Sequence, residues 1–281
     1  MNKLKFFFGK NTDSEYKKIS QLLTKVFKKK FDLNYLQWLY RDNPHGKAIT
    51  FNISKNRKIV GHYSVIPAKI LINKKIYRAA LSLNTAVDDN FRGRGFFNIM
   101  AKKTYDKCLK KKIRFIFGVS NSQSTKLFVK NFNFCNFGEL NVMIGLGNIN
   151  QNIIKKKFEV NWDRKSLNWR LLNPNTNYNF NYLKKNKITI SRKLYKFFNI
   201  NMGEFDNNYK FKFLKKNNFK LLNLYIGLGK DNSKNLLYFN LPNFLKPSPL
   251  NFILKDLFIK KHNFKIKKEN IFFQLLDFDA Y

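Results

Sequence analysis

The sequence predicts an α/β fold, a mixed β-sheet flanked by helices, followed by a second, smaller α+β domain. Three observations predict it. Apolar residues near the start recur at helical spacing, and a series of β-type runs separated by turn residues follows. At Gly95 the apolar period then changes from that of a strand to that of a helix, with a short and almost wholly apolar run beyond.

Each element has a local reason. Ser14–Lys30 sets Tyr16, Ile19, Leu22, Leu23 and Val26 on one helical face, with Thr12 or Asp13 placed to cap it. A shorter helix is expected over Leu33–Arg41 and is stopped by Asp42-Asn43-Pro44. Strands are expected at Ala48–Ser54 and Lys58–Pro67 around the turn Lys55-Asn56-Arg57, then at Ile70–Ile72 and Ile76–Val87 around Asn73-Lys74-Lys75. From Gly95 the residues Phe97, Met100, Ala101, Tyr105, Cys108 and Leu109 recur every three or four positions, and Lys110–Lys112 close that helix where cations suit its C-terminal dipole. Ile113–Val119 reads as a strand covered on both faces. A helix over Ser122–Lys130 and strands near Phe134 and over Glu139–Leu146 complete the first half. The strand–Gly turn–helix–strand order is a βαβ unit, which should be right-handed.

A length of 281 residues suits two modest domains, taken as 1–150 and 151–281. A hydrophobic content of 44% and an aromatic content of 17% supply a buried core and exclude a disordered chain.

The net charge is +38, from 55 Lys and Arg against 17 Asp and Glu. Such a balance suits polyanionic partners, nucleic acid among them. Crowding with Lys, Asn, Ile and Phe, with only 12 Gly and 6 Pro, is also the bias that A+T-rich codons impose, and the lysines are spread along the chain. Any contact with nucleic acid is therefore expected to be non-specific. Cys108 and Cys135 are far apart and lack a CxxC or His-rich setting, which argues against a disulfide framework and a zinc site. No apolar stretch suits a signal peptide or a membrane span, so a cytoplasmic protein is expected.

The chemistry is expected at Arg92-Gly93-Arg94-Gly95, between a strand and a helix. Glycines let the backbone pass close to a ligand, and the free N–H groups of the first helical turn suit a pyrophosphate. Two arginines add charge and bidentate hydrogen bonding. On the preceding strand, alternation places Ala80, Ser82, Asn84 and Ala86 on one small or polar face, opposite Leu81, Leu83, Thr85 and Val87. In a basic protein an RGRG could equally be an ordinary turn. A nucleotide phosphate loop would need GxxxxGK[ST], or GxGxxG with a later acid, and neither is present.

The run Val87-Asp88-Asp89-Asn90-Phe91-Arg92-Gly93-Arg94-Gly95-Phe96-Phe97 resembles the acetyl-CoA motif of the GNAT superfamily of N-acetyltransferases, [Gln/Arg]-x-x-Gly-x-[Gly/Ala]. Asn121-Ser122-Gln123-Ser124, Phe128 and Asn133-Phe134 sit where the family carries Asn-x-x-Ser/Ala, Tyr and Gly-Phe, so the likeness spans about residues 13–147. It implies a GNAT-like sheet and acetyl-CoA as acyl donor. The backbone of Thr85, Ala86 and Val87 would pair with the pantetheine arm. Arg92, Gly93, Arg94, Gly95, Phe96 and Phe97 would cradle the pyrophosphate, with Asn121 and Ser124 near the cofactor. The implied reaction is direct transfer to an acceptor amine, with no metal. Two departures stand out: Phe97 occupies the last Gly/Ala position, and Phe128 replaces the Tyr that often protonates the departing thiolate, which a phenyl ring cannot do.

The second half holds an echo of the first. Asp32, Leu36, Trp38 and Asn43-Pro44 recur at nearly the same spacing as Asp163, Leu167, Trp169 and Asn173-Pro174. Either chance in an Asn- and Leu-rich chain or an internal duplication accounts for it. The second copy has no RGxG turn, and Gly227-Leu228-Gly229 is no substitute, so a duplicated half would shape the acceptor site. Tandem-GNAT proteins provide precedent.

No general acid or base is singled out. His62 lies in a strand, where a lone histidine is more often structural. His45 and His262 read as surface residues, Asp88 and Asp89 as turn or cap residues, and Glu139 as an exposed strand end. Asp277 and Asp279, set among Phe272, Phe273, Leu275, Leu276 and Phe278, could have a raised pKa or simply be hydrogen-bonded. The expected function is acetyl transfer to an amine of a small acceptor, an amino sugar or amino acid derivative. A non-catalytic CoA- or partner-binding module and a basic RNA- or ribosome-associated protein are the alternatives.

Overall fold

A computed structural model describes residues 3–147, 156–184, 187–195, 198–206, 214–216, 222–229, 237–246, 249–259 and 265–278. In chain order its first half runs β1 (Lys5–Phe8), α1 (Asp13–Phe27), α2 (Leu33–Tyr40), β2 (Ile49–Lys55), β3 (Lys58–Ile72), β4 (Lys75–Val87), α3 (Phe96–Lys110), β5 (Phe115–Ser120), α4 (Ser122–Phe132), β6 (Cys135–Glu139) and β7 (Asn141–Leu146). The second half runs β8 (Phe158–Val160), α5 (Arg164–Leu171), β9 (Tyr178–Lys184), β10 (Lys187–Tyr195), β11 (Phe198–Asp206), β12 (Lys215–Lys216), β13 (Leu222–Leu228), β14 (Tyr238–Asn240), β15 (Asn251–Asp256), β16 (Phe273–Gln274) and α6 (Leu275–Phe278).

Several boundaries moved for identifiable reasons. Helix α1 starts where Thr12 accepts the N–H of Glu15 and ends at Phe27, because Lys28 turns left-handed. The run Phe6–Phe8 lies within a strand that pairs antiparallel with β2, an edge element the short run did not reveal. Two predicted strands merge into β3, which passes through Pro67 unbroken. Its ladder to β2 ends at Val65 and its ladder to β8 begins at Ile70, so Pro67 falls in the gap where its missing N–H costs no ladder bond. There its carbonyl accepts from Asn43 Nδ2.

Two sheets form. The first has the order β1-β2-β3-β4-β5-β15-β6, and the second β12-β9-β10-β11-β13-β7-β14. Strands β2, β3 and β4 run antiparallel and β4 runs parallel to β5. The second sheet repeats this with β9, β10 and β11 antiparallel and β11 parallel to β13. Each sheet then takes an antiparallel strand from the other half, β15 beside β5 and β7 beside β13. Sequence alternation gave β7 as a strand but not that it leaves the sheet to which β6 belongs.

The two Trp positions of the sequence echo meet between the halves. The rings of Trp38 and Trp169 stack 5.1 Å apart at an interplanar angle of 22°. Each indole N–H donates to the other residue's carbonyl, at 2.8 and 3.0 Å. The turns that follow also match, with Asn43 Oδ1 accepting the His45 N–H and Asn173 Oδ1 accepting the Asn175 N–H. One core cluster fills the side of the first sheet under α1 and α2 and continues into the second half. The other lies under α3 and α4.

Candidate functional site

The parallel pairing of β4 and β5 runs only from Ala79↔Phe115 to Ser82↔Gly118, although both strands continue beyond it. A Cβ at Gly118 would stand 3.0 Å from the Ser82 carbonyl, so glycine permits the close approach at this last pair. Past it the strands part and leave the β5-facing side of Leu83–Val87 without a ladder to β5. Backbone donors and acceptors on such an open edge can take an extended ligand as a further strand.

A bulge sharpens the parting. Between His62↔Ala86 and Ser64↔Leu83 the register of β3 and β4 slips, so that Asn84 and Thr85 together oppose Tyr63. Asn84 adopts φ +53°, a conformation Asn tolerates better than most residues. The bulge corrects the simple alternation expected for this strand. Leu81, Leu83 and Ala86 belong to the core cluster under α1 and α2, whereas Ala80 and Val87 belong to the one under α3 and α4. Past the bulge the faces have exchanged, because one extra residue reverses a period of two.

The loop that follows is ordered by its own side chains. Asp88 accepts the Asn90 N–H and pairs with Lys25 at 2.7 Å, which holds its carboxyl below the usual range. Asp89 pairs with Arg92 at 2.7 Å. Both are turn and cap residues. Gly93 (φ +77°) and Gly95 (φ +69°) are left-handed and meet only open space, and Gly95 opens α3, which leaves the N–H groups of its first turn without helical partners. Arg92 lines the cleft. Arg94 turns back over the Phe91 ring, 5.2 Å from its centroid, toward the Asn90 carbonyl.

The cleft is a cavity of about 800 Å³. It brings together Ser82, Thr85, Val87, Arg92, Phe97, Asn121 and Ser124, and on the far side Phe31, Tyr35, Asn173, Thr176, Arg192 and Phe278. Asn121 caps α4 by accepting the Ser124 N–H at 2.9 Å. Ala86 and Phe96 are buried in the core, so only their backbone can serve a ligand. Phe97 borders the cleft and also sets its ring edge-on to Tyr63, Phe128 and Phe132. Phe128 is buried between Phe97 and Phe134.

Among the other candidates, His62 is wholly buried and its imidazole is pushed down to about 3 by burial. It is neutral and sealed from the cleft. His45 is also lowered by burial and borders a separate small cavity with Arg170 and Asp277. The Asp277 carboxyl is pushed up to about 7 by burial, against the hydrogen bonds from the Gln274 N–H and Trp162 Nε1 and the charge of Arg170. Glu139 is exposed at the end of β6. His262 and Asp279 lie outside the described residues. Among the described residues no cluster of His, Cys, Asp or Glu could hold a metal, and no helix is long and apolar enough to cross a membrane.

Two hydroxyl networks behind β4 escaped the sequence reading. In one, Ser82 Oγ bonds Tyr63 Oη at 2.8 Å, and Tyr63 Oη bonds Tyr105 Oη at 2.9 Å. The other runs through Tyr40 and His62. Their partners lie far apart in sequence, so spacing carries no signal of them.

The splayed parallel pair, the bulge beyond its last rung and the glycine turn opening a helix all lie within a stretch that has a sequence match as well. Residues 9–131 fit the family model for the acetyltransferase (GNAT) domain. Over that stretch the chain is similar to a GNAT acetyltransferase domain. No curated protein matches it significantly by sequence. Its fold resembles that of a conserved protein of unknown function from Enterococcus faecalis V583, a probable N-acyltransferase, at TM-score 0.61 and 12% identity, over 91% of this chain and 73% of that one. GCN5-related N-acetyltransferases from Anabaena variabilis ATCC 29413 (TM-score 0.57, 11% identity, 90% and 73% covered) and Kribbella flavida (0.59, 8%, 90% and 71%) are similar to it too. These likenesses reach across both sheets, so the GNAT sheet and the second, GNAT-like unit share one architecture with known structures.

Proposed function

We propose that the protein is an acyltransferase that moves an acetyl group from acetyl-CoA directly to an amine of a small acceptor, such as an amino sugar or amino acid derivative. The observation that carries this reading is the cleft: one cavity holds the open edge of β4, the loop with Arg92 and the second-half residues Asn173, Thr176 and Arg192. In the proposed roles the backbone of Thr85, Ala86 and Val87 pairs with the pantetheine arm. Arg92, Gly93, Arg94, Gly95 and the backbone of Phe96 and Phe97 hold the pyrophosphate, with Asn121 and Ser124 alongside. The acceptor enters where residues 151–281 meet residues 1–150, and a donor of this kind places the activity in the cytoplasm.

When bound, acetyl-CoA supplies the activated thioester. The open edge of β4 orients its arm, the left-handed glycines bring N–H groups toward its phosphates, and the apolar rings of Phe97 and Phe128 keep water from that part of the cleft. The acceptor amine must shed a proton and the thiolate must gain one, and Phe128 has none to give. That departure supports a second reading, a GNAT module that binds CoA without turnover.

Calorimetry with acetyl-CoA on the wild type and Arg92→Glu tests the site, and release of free CoA thiol with a panel of amines tests turnover. Reversing a charge at the phosphates should weaken binding by about tenfold or more. Equal affinity in the two proteins would sink the assigned loop. Binding without thiol release on any amine would favour the module.

A further inference from the structure

The bulge that shapes the cofactor edge is held from behind by a continuous buried chain of hydrogen bonds. Asn84 Nδ2 donates to Tyr40 Oη at 2.8 Å. Tyr40 Oη is 3.0 Å from His62 Nε2, and His62 Nδ1 is 2.7 Å from Asn52 Oδ1. The Asn52 amide donates to Glu15 Oε1, while Glu15 Oε2 accepts the N–H groups of Lys10 and Asn11. Beside this chain Ser64 Oγ donates to the Leu83 carbonyl at 2.9 Å and lies 3.2 Å from Tyr40 Oη. Tyr40, Asn52, His62 and Ser64 are all 0% exposed.

The direction of the chain follows from its ends. Asn52 spends its amide N–H on Glu15, so its carbonyl faces His62, and the imidazole must carry its proton on Nδ1. Nε2 then has only a lone pair, which takes the Tyr40 hydroxyl proton and leaves the Tyr40 oxygen to accept from Asn84. Every donor points from the bulge toward the Glu15 carboxylate. A sheet interior does not need five polar side chains for cohesion, since apolar ones of similar size would pack without the cost of desolvating them. Once assembled, though, such a chain admits one arrangement, because losing any member strands its neighbours.

The geometry points to Tyr40 and Asn84 as positioning residues for acyl transfer: anchored through His62 and Asn52 to Glu15, they fix the left-handed bulge that presents the edge of β4 to the thioester arm. This inference rests on the proposed CoA site. It predicts a split between the two parts of the ligand, since the bulge faces the arm and the glycine loop faces the phosphates.

The test titrates the full chain with acetyl-CoA and with 3′-phospho-ADP, which carries the pyrophosphate but no pantetheine. Tyr40→Phe removes the hydroxyl and should weaken acetyl-CoA by about tenfold, as the loss of ordered contacts worth one hydrogen bond would, with 3′-phospho-ADP changed less than about twofold. Asn84→Gly keeps left-handed freedom at the bulge while deleting the bond to Tyr40, so it should fold and show the same split. The double variant should be no worse than the poorer single one. Arg92→Glu should weaken both ligands. Equal affinity for acetyl-CoA in wild type, Tyr40→Phe and Asn84→Gly would overturn the positioning role, as would a parallel loss of both ligands. A wild type that binds neither ligand would instead overturn the site assignment on which the inference stands.

Discussion

Trp38 and Trp169 exchange hydrogen bonds reciprocally, each indole N–H to the other's backbone carbonyl, across stacked rings. Residues related by an approximate two-fold axis make such contacts, because whatever one gives the other the axis returns. Arg170 lies over both rings, 5.7 and 5.9 Å from their centroids. Replacing either Trp by Phe keeps a ring but takes the indole donor from the other residue's part-buried carbonyl, although the Trp169 carbonyl keeps the Leu172 N–H. Each single change should cost about 1–3 kcal/mol. The two hydrogen bonds end on backbone carbonyls that the substitutions leave in place, so any shortfall from additivity should come from the stacked rings, which share one contact. Chemical denaturation of the two single variants and the double variant checks this, and strict additivity would mean that the pair is not coupled.

Asp277 predicts a pH dependence. Its folded-state pKa of about 7 lies above the ordinary 3.8, and the cause is burial. Between those values the folded protein retains a proton that the unfolded chain has released, so stability falls as pH rises through this window and levels off above about 7. The slope from this one group is at most about 1.4 kcal/mol per pH unit. Asp277→Asn should abolish its share of the slope. Parallel unfolding curves of wild type and variant from pH 4 to 8 would reject it.

Gly95 begins α3 with φ +69°. A Cβ there meets no neighbour, so any penalty comes from the backbone alone. Gly95→Ala should cost about 1–2 kcal/mol in stability or be relieved by reshaping the loop, and Gly95→Asn should cost less. If the loop holds phosphates, acetyl-CoA affinity should follow the same order, Gly above Asn above Ala. An Ala variant that binds as well as wild type would show that the loop's shape does not matter to the ligand.

Phe128→Tyr would put a phenol on the α4 side of the cleft, across from Tyr35. Should thiolate protonation limit turnover, kcat should rise by about tenfold or more, within the range that general acids contribute, with acetyl-CoA affinity unchanged. A rate equal to wild type in a variant that still binds the cofactor would mean that water or another group already supplies the proton.

The sequence disclosed those parts of the fold that local pattern controls. The period change at Gly95, the apolar run leading into β5 and the Arg92–Gly95 turn all sit where their residues indicated, and Phe97 both lines the cleft and starts the apolar stripe. The echo of Asp32–Pro44 in Asp163–Pro174 corresponds to α2 and α5 meeting through their tryptophans. What could not be read depends on distant partners. Nothing near Asn84 announces a bulge, since the slip is set by Tyr40, Ser64 and His62 on neighbouring elements. Pro67 looked like the end of a strand because its lost donor is harmless only where β2 stops and β8 has not begun. The exchange of β7 and β15 between sheets leaves no local trace, as either strand alternates equally well beside either neighbour.

That exchange bears on how the molecule comes into being. The strand that closes the first sheet, β15, spans Asn251–Asp256 and fills the slot between β5 and β6. During synthesis the N-terminal half therefore emerges with that slot empty, its edges exposed on both sides until the ribosome has passed residue 256. Loops that long are slow to close. Maturation of the cleft and of the second sheet should occur as one late event, and a chain halted before residue 251 should be a client for chaperones rather than an early, folded domain.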